Sequence, residues 1–102
     1  MSQLLPGSII GIIGGDSQIS SVVLMAKRLG YRIYHFREED EPRVLLADKE
    51  VIARYSDRQA LSNFAVQVDT IYVLTNAIEI DTIVYLSGKT RYYQSFELAE
   101  IS

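Results

Sequence analysis

The sequence contains no cysteine, only one histidine and no long apolar run. Without cysteine, a disulfide framework and thiolate chemistry are excluded, and a cytoplasmic location is the expectation. No apolar run approaches the ~20 residues of a membrane-spanning helix, and the N-terminus lacks the charged start and apolar stretch of a signal peptide. We therefore expect a protein that is not associated with a membrane.

Basic residues are also scarce. Ten Lys and Arg residues stand against 13 Asp and Glu residues, which gives a formal net charge of −3. Because no basic stripe is present, nucleic acid is not an expected partner. The 48% of hydrophobic residues is too high for a disordered chain. A chain of 102 residues is long enough for one core, so we predict a single domain over residues 1–102.

The most informative stretch is Ile9 to Gly30. The apolar run from Ile9 to Ile13 predicts a buried parallel strand, and the double glycine Gly14-Gly15 predicts a tight turn after it. Asp16 can cap the following helix, and Gly30 can end it in a left-handed conformation. The predicted apolar face of this helix consists of Ile19, Val22, Val23, Ala26 and Leu29. Strand, glycine turn and helix are typical of the start of a nucleotide-binding α/β domain.

The rest of the chain alternates between the two kinds of element. We predict a strand at Arg32–Phe36, a short helix from Pro42 carrying Val44 to Leu46, and strands at Val51–Ala53 and Thr70–Leu74. Between the last two strands, a capping box of Ser56 and Gln59 can open a helix whose apolar face consists of Ala60, Leu61, Phe64, Ala65 and Val68. The composition of Ile78–Leu86 suits a strand or a helix closed by Gly88. We favour a helix, because a crossover is needed before a last strand at Arg91–Tyr93. Ser95 then begins a further helix.

This alternation predicts an α/β fold. We expect a Rossmann-like three-layer domain with a mainly parallel sheet of about five strands in the order 3-2-1-4-5. A ligand would then lie at the carboxyl ends of strands one and four.

The glycine pattern of the first turn is incomplete. A dinucleotide fingerprint in this register requires glycine at positions 14, 16 and 19, and only Gly14 is present. The Asp16 carboxylate would repel a pyrophosphate, and Ile19 has a side chain where helix and strand should pack closely. Residues Gly14 to Gln18 are therefore either an anion site at a helix N-terminus or a tight turn with a self-capped helix. Asp16 favours the second interpretation.

A hydrolase interpretation of the same turn is disfavoured. Gly15-Asp16-Ser17 is also typical of the nucleophile block of a lipase-like hydrolase family. A serine nucleophile needs a base, usually a histidine oriented by a carboxylate. His35 is the only histidine, and no Asp-x-x-His block occurs near the C-terminus. We expect His35 to be a strand residue near a sheet edge or a helix, since one histidine makes no metal site.

Three further groups are candidates for binding. Arg37 could recognise a ribose 2′-phosphate, although a solvated charge beside the acidic loop Glu38–Glu41 is the interpretation that we favour. Asn76, after the fourth strand, could bond a ligand or satisfy its own loop backbone. The tyrosines Tyr85, Tyr92 and Tyr93 could pack against another domain or subunit, or cover the rim of the core.

Several stretches together resemble one family. They are Leu5-Pro6-Gly7, Gly11 to Gly15, Ala26 to Tyr31, Ala47-Asp48 and Tyr55-Ser56-Asp57, in this order and with suitable spacing. They resemble the N-terminal, pre-ATP-grasp domain of 5-(carboxyamino)imidazole ribonucleotide synthase, also called the ATPase subunit of phosphoribosylaminoimidazole carboxylase. The resemblance covers nearly all of the chain. It implies an ATP-grasp ligase of purine biosynthesis whose N-terminal domain helps to hold the aminoimidazole ribonucleotide.

The same resemblance implies a three-domain dimer that binds ATP and magnesium in its other two domains. This chain then contains no cofactor site of its own, and it is either a piece of a longer protein or a short protein derived from one. The family loop Gly-Gly-Gly-Gln-Leu-Gly corresponds to Gly14–Ile19 here, and the family's Glu-Phe-Glu-Asn corresponds to Leu74–Ala77, where both carboxylates are missing. Arg37 stands at the family's Asp position. These departures all lie where the family holds its substrate.

Two functional hypotheses follow. The first is a non-catalytic interaction or structural module, with a homodimer as the expected assembly. The second is a nucleotide- or phosphosugar-binding domain of a larger ATP-grasp enzyme of purine biosynthesis. The candidate ligand-binding residues of the second hypothesis, for a phosphorylated small molecule, are Gly14, Gly15, Asp16, Ser17, Gln18, Arg37 and Asn76. Neither hypothesis assigns this chain a catalytic or metal-binding residue.

Overall fold

The architecture was obtained as a computed structural model, which describes residues 5–15 and 19–90. Its elements are β1 (Ile9–Gly14), α1 (Ile19–Arg28), β2 (Arg32–Arg37), β3 (Lys49–Ile52), α2 (Arg58–Ala65), β4 (Thr70–Leu74) and α3 (Ile80–Ser87). The four strands are all parallel, in the order β3-β2-β1-β4. The Rossmann-like α/β class and the order of the first four strands are therefore confirmed. The predicted strand at Arg91–Tyr93 and the helix from Ser95 lie outside the described residues.

The helices cover the sheet on both faces, as expected for three layers. Successive side chains of a strand point to opposite faces, so neighbouring residues of β1 and β2 feed different cores. Ile12 and Ile33 form a buried cluster with Val23 of α1. On the opposite face, Ile13 and Phe36 pack with Leu61 and Phe64 of α2 and with Leu86 of α3.

The end of α1 agrees with the prediction, but part of its predicted buried face does not. Gly30 has a φ of +96°, the left-handed conformation expected of a helix stop. Ile19 and Val23 are buried, whereas Val22 and Leu29 are each 62% exposed. The apolar stripe of α1 is wider than the sheet can cover, so the prediction of one buried face was wrong for these two residues.

Two local predictions are wrong. The segment after Pro42 is irregular rather than helical: Val44 is buried while Leu45 and Leu46 are exposed. Few residues separate Pro42 from β3, and a helix that short recovers too few hydrogen bonds to offset its nucleation cost.

The predicted capping box at the start of α2 is the second error. Asp57, not Ser56, caps the helix, and its carboxylate accepts the backbone N–H of Ala60 at 3.0 Å. Gln59 instead donates its side-chain amide to Asn63, one turn along the helix. Both the predicted and the observed cap use a short oxygen-bearing side chain, and Asp57 is the one whose position suits the first turn.

The remaining elements lie close to their predictions. β4 has the predicted bounds, and β3 begins two residues before its prediction. The helix α2 spans Arg58–Ala65, so Val68 of its predicted apolar face is buried but lies after the helix end. The ambiguous segment is the helix α3, as favoured, although Gly88 after it has an ordinary φ of −76°. Within the described ranges, no helix has the length and apolar character needed to cross a membrane.

Candidate functional site

A cleft of about 480 Å³ lies at the carboxyl ends of β1 and β4. It is lined by Gly15, Ile19, Glu41, Leu74, Thr75 and Asn76. The two strands are neighbours, with Gly14 paired to Leu74, so the turn after β1 and the loop after β4 meet at one edge of the sheet. This is where the fold class predicts a ligand.

The floor of the cleft is the Gly14–Gly15 turn. Both glycines have positive φ values, +81° and +101°. A Cβ on Gly14 would lie 2.8 Å from the Cβ of Thr75 and 3.1 Å from the hydroxyl of Tyr55. A Cβ on Gly15 would lie 2.9 Å from Cγ2 of Ile19. Two conditions therefore demand glycine here, the backbone conformation and the close approach of neighbouring side chains.

The adjoining residues of the predicted anion loop, Asp16, Ser17 and Gln18, lie outside the described residues. The helix cap that we assign to Asp16 therefore stays a prediction. Ile19 is described, and its side chain packs against the Gly15 turn and lines the cleft. The position that a dinucleotide fingerprint reserves for glycine thus carries a side chain that occupies space beside the turn.

His35 holds the Gly14–Gly15 turn from the neighbouring strand. Its side chain is 1% exposed, and Nε2 donates to the carbonyl oxygen of Gly14 at 2.9 Å. Burial lowers the pKa of His35, and this outweighs the Gly14 bond and the charge of Glu50, which raise it. His35 is a strand residue, as predicted. Of the two expected positions, the sheet edge is wrong because β2 is an internal strand, whereas α1 covers the face of the sheet that bears His35.

Arg37 is buried, so the favoured interpretation as a solvated charge was wrong. Arg37 is 8% exposed, and its Nε donates to Oε2 of Glu50 at 2.8 Å. Nη1 donates to the backbone carbonyls of Glu38 and Glu39 at 3.1 Å and of Glu41 at 3.0 Å. The guanidinium therefore holds the acidic loop against the sheet, and Arg37 is not one of the residues that line the cleft.

The acidic loop is ordered rather than freely solvated, and Tyr55 holds it from the other side. The backbone N–H of Tyr55 donates to the Glu38 carboxylate at 2.8 Å, and the Tyr55 hydroxyl donates to the Glu41 carboxylate. The same Glu41 oxygen accepts the backbone N–H of Glu38 at 3.0 Å. Burial, followed by the Glu41 carboxylate, raises the pKa of Tyr55 well above its ordinary value. These bonds bring Glu41 to the cleft.

Sequence reasoning missed the roles of Tyr55 and Glu41. In the sequence, Tyr55 stands out only as part of a stretch that resembles the family, and Glu41 only as one of several neighbouring charges. The signal that could have found them is a buried aromatic residue with a polar end, which needs a partner when its ring is packed. The ring of Tyr55 lies stacked on Phe36, with centroids 6.1 Å apart.

The other two predicted groups occupy separate places. Asn76 is exposed at the rim of the cleft, and it is Thr75, through its hydroxyl, that accepts the backbone N–H of Ala77 at 3.2 Å. Tyr85 lies on α3, away from the residues of the cleft, between the cations of Arg58 and Lys89. Tyr92 and Tyr93 lie outside the described residues.

The described lining of the cleft combines one acidic residue with apolar residues and with the neutral polar Thr75 and Asn76. Its one ionisable side chain is Glu41, beside the apolar Ile19 and Leu74. A phosphate at this edge would face a carboxylate with no cation among these lining residues, which disfavours its binding. In the described ranges, no group of three or more His, Asp or Glu residues is placed to hold a metal ion.

The sequence of the chain identifies its family. The family described as "Ribonucleotide synthetase preATP-grasp domain" matches residues 8–99. The chain belongs to this family. Among curated proteins, it is 32% identical over 100 residues to the N5-carboxyaminoimidazole ribonucleotide synthase of Bacillus subtilis (strain 168), a match that covers 97% of this chain and 26% of that protein. The bifunctional purine synthesis protein purC/E of Dictyostelium discoideum is 33% identical over 85 residues, covering 82% of this chain and 8% of that protein.

Solved structures show the same relationship. The ADP complex of an N5-carboxyaminoimidazole ribonucleotide synthetase superposes with a TM-score of 0.78 at 30% identity, and covers 95% of this chain and 26% of that chain. The Staphylococcus aureus N5-carboxyaminoimidazole synthetase complexed with ADP gives a TM-score of 0.81 at 26% identity, over 96% of this chain and 26% of that chain. This preATP-grasp domain therefore spans about a quarter of these synthetase chains and of the Bacillus synthase.

Proposed function

We propose that this preATP-grasp domain is a non-catalytic interaction module that self-associates, with a homodimer as the assembly. The observation that carries the proposal is the outer face of α1. Val22 and Met25 of α1, and Leu29 in the turn directly after it, are 62%, 65% and 62% exposed, and their spacing continues one side of the helix. A stripe of this kind is what one helix packs against another, and exposed apolar patches mark interaction sites.

A second copy of the chain is the occupant that we propose for this stripe. Two copies of α1 related by a two-fold axis would bring the same stripe together, because a two-fold interface joins identical patches. Of the two basic residues in the last turn of α1, Lys27 is already paired with Asp48 at 2.6 Å, and Arg28 is exposed. A cytoplasmic location is part of the proposal, and cell fractionation tests it.

The composition of the cleft supports the non-catalytic part of the proposal. Glu41 is held at the cleft by Tyr55, and the basic Arg37 is engaged beneath the loop. A phosphorylated substrate would therefore meet negative charge. We expect purified protein to release no phosphate from ATP when bicarbonate and the aminoimidazole ribonucleotide are supplied, and substrate-dependent phosphate release would contradict this.

The decisive experiment for self-association is sedimentation at high micromolar concentration. We expect the unmodified chain to sediment as a dimer, and Met25→Lys to sediment near 11.5 kDa because a charge is placed in the stripe. Val66→Lys is the matched control: Val66 is apolar and 49% exposed, but it follows α2 on the opposite side of the sheet. A monomeric unmodified chain, or equal effects of the two variants, would refute the proposal.

One observation favours a second function, that of a nucleotide- or phosphosugar-binding domain of a larger ATP-grasp enzyme of purine biosynthesis. The positive-φ turn at Gly14 and Gly15 leads directly toward α1 and opens into a cleft at the carboxyl ends of two parallel strands. Titration with NADPH, AMP and ribose 5-phosphate, followed by amide chemical shifts, separates the two functions. Binding at low micromolar affinity through residues 14–18 would replace the first proposal with the second.

A further inference from the structure

The bond between His35 and Gly14 joins a titratable side chain to the floor of the cleft. His35 pairs with Ile12 in the sheet, so its ring reaches along β1 toward the carboxyl end of that strand. There Nε2 lies 2.9 Å from the carbonyl oxygen of Gly14, the residue before the Gly15 that lines the cleft. Any change in the ring is therefore transmitted to the turn through one hydrogen bond.

The geometry requires the neutral ring with its proton on Nε2. A carbonyl oxygen only accepts, so Nε2 must donate. The other ring nitrogen, Nδ1, is buried and has no hydrogen-bond partner among the described residues. A lone pair can remain at that position, but a second N–H there would be a buried charged donor without an acceptor, which is strongly unfavourable.

The charged groups around the ring do not provide that acceptor. Glu50 lies on β3 opposite His35, and its Oε2 accepts from Arg37 at 2.8 Å, whereas neither of its oxygens bonds Nδ1 of His35. Glu41 in the acidic loop also favours a proton on His35, whereas Arg37 disfavours one. The helix on this face, α1, contributes Ile19 and Val23 to the buried cluster. The surroundings therefore tolerate the neutral ring and resist the charged one.

We propose that His35 is a proton-sensitive anchor of the cleft: binding a proton makes the ring leave the Gly14 carbonyl, which releases the Gly14–Gly15 turn. The added N–H on Nδ1 must find an acceptor, and no described group offers one while the ring stays in place. Movement of the ring breaks the bond between Nε2 and the Gly14 carbonyl oxygen. Thr75, which packs against Gly14, responds to the same event.

Because the chain has a single histidine, its titration is directly observable in tag-free protein. We would record the two ring nitrogens of 15N-labelled protein, together with the backbone amides, from pH 8 to the acid limit of the folded state. We expect the proton on Nε2 at pH 8 and a midpoint below the ordinary pKa of 6.5. The amides of Gly15 and Thr75 should shift with the same midpoint, while that of Gln67, after α2, should not.

A non-titrating variant separates this switch from a purely structural role. His35→Gln retains an N–H donor but does not ionise in this range, so the amides of Gly15 and Thr75 should lose their pH dependence. A proton on Nδ1 at pH 8, or amides of Gly15 and Thr75 that do not follow the ring, would overturn the proposal. Unchanged titration of those amides in His35→Gln would also overturn it, and the ring-to-amide comparison decides the matter if this variant does not fold.

Discussion

The two faces of the sheet are packed very differently. The face covered by α2 and α3 has an aromatic core, in which Phe36 meets Phe64 edge-on at 5.5 Å and stacks with Tyr55. The face covered by α1 has a smaller buried cluster that is entirely aliphatic, formed by Ile12, Ile19, Val23, Ile33 and Val44. Since apolar burial is the main stabilising term, most of the folding free energy should come from the aromatic face.

The difference between the two buried clusters separates the residues that stabilise the fold from those that carry the proposed functions. The α1 face contains His35 and the buried Arg37, and the outer side of α1 bears the exposed apolar stripe. A chain stabilised on one face can vary the other with less loss of stability, because substitutions in a smaller core remove fewer contacts. Four sets of variants, whose free energies of unfolding are measured by urea denaturation, test this comparison.

The largest effect should come from the aromatic face. Phe64→Ala removes a ring that is 1% exposed and should cost about 3–5 kcal/mol of unfolding free energy. Val23→Ala, at a fully buried position on the α1 face, loses two methyl groups and should cost about 1–2 kcal/mol. A loss for Val23→Ala as large as that for Phe64→Ala would contradict this ranking, because fewer atoms are removed from the α1 face.

The next variant, Gly11→Ala, adds a methyl group to the aromatic face instead of removing atoms from it. In Gly11→Ala the new methyl would lie 2.8 Å from Cε2 of Phe64 and 3.0 Å from Cγ2 of Val68, so we expect a loss of about 1–3 kcal/mol. Gly88→Ala is the control, because its methyl meets nothing nearer than the Tyr85 carbonyl at 3.6 Å. The control should change stability by no more than about 0.5 kcal/mol. A harmless Gly11→Ala would mean that Phe64 can move aside.

The third variant tests the bond that joins the aromatic face to the acidic loop. Tyr55→Phe keeps the ring against Phe36 and removes the hydroxyl that donates to Glu41. We expect a loss of about 1–2 kcal/mol, because a hydrogen bond to a carboxylate is broken. Amide exchange of Glu38 should accelerate as well, since its N–H bonds the same Glu41 oxygen. Unchanged exchange would indicate that Arg37 and the backbone N–H of Tyr55 order the loop without the hydroxyl.

The smallest effect should come from the ion pair at the rim of the α1 face. Asp48 accepts from Lys27 and from the backbone N–H of Ile33, and its side chain is 33% exposed. Asp48→Asn should therefore cost only about 0.2–1 kcal/mol, with the exposed Asp40→Asn as a control without effect. A loss as large as that of Tyr55→Phe would contradict this ranking.

The same carboxylate gives a pH dependence of known sign. Burial raises the pKa of Asp48. The hydrogen bonds from Lys27 and from the Ile33 amide together lower it by more, so the net pKa lies below the ordinary 3.8. The unfolded chain therefore binds the proton first as the pH falls. The contribution of Asp48 is complete above pH 3.8 and declines below it, and Asp48→Asn should flatten the stability curve there.

Features set by short stretches were predictable from the sequence. The bounds of β4 follow from a run of β-branched and aromatic residues, and the stop at Gly30 follows from a glycine after a periodic helix. The order of four strands follows from alternating elements and right-handed crossovers. The position of the cleft then follows from the fold class.

Features set by the register between strands were not predictable. Four acidic residues, Glu38 to Glu41, follow Arg37 in the sequence, and this pattern indicates a solvated charge. Its half-buried partner Glu50 is 13 residues away and is brought near by the pairing of β2 with β3. The bond from His35 to Gly14 likewise spans 21 residues. Contacts of this kind depend on which residues face each other across the sheet, and local periodicity does not contain that information.

The position of β1 at the centre of the sheet affects how the chain is made. The backbone N–H of Ile9 bonds the Asp69 carboxylate across 60 residues, and β1 pairs with β4 along its length. During synthesis the first strand must therefore wait for the fourth, with an apolar edge unpaired until about residue 74 has left the ribosome. Such distant pairing slows folding. We therefore expect β1 to determine whether the nascent chain depends on a chaperone and whether it aggregates early.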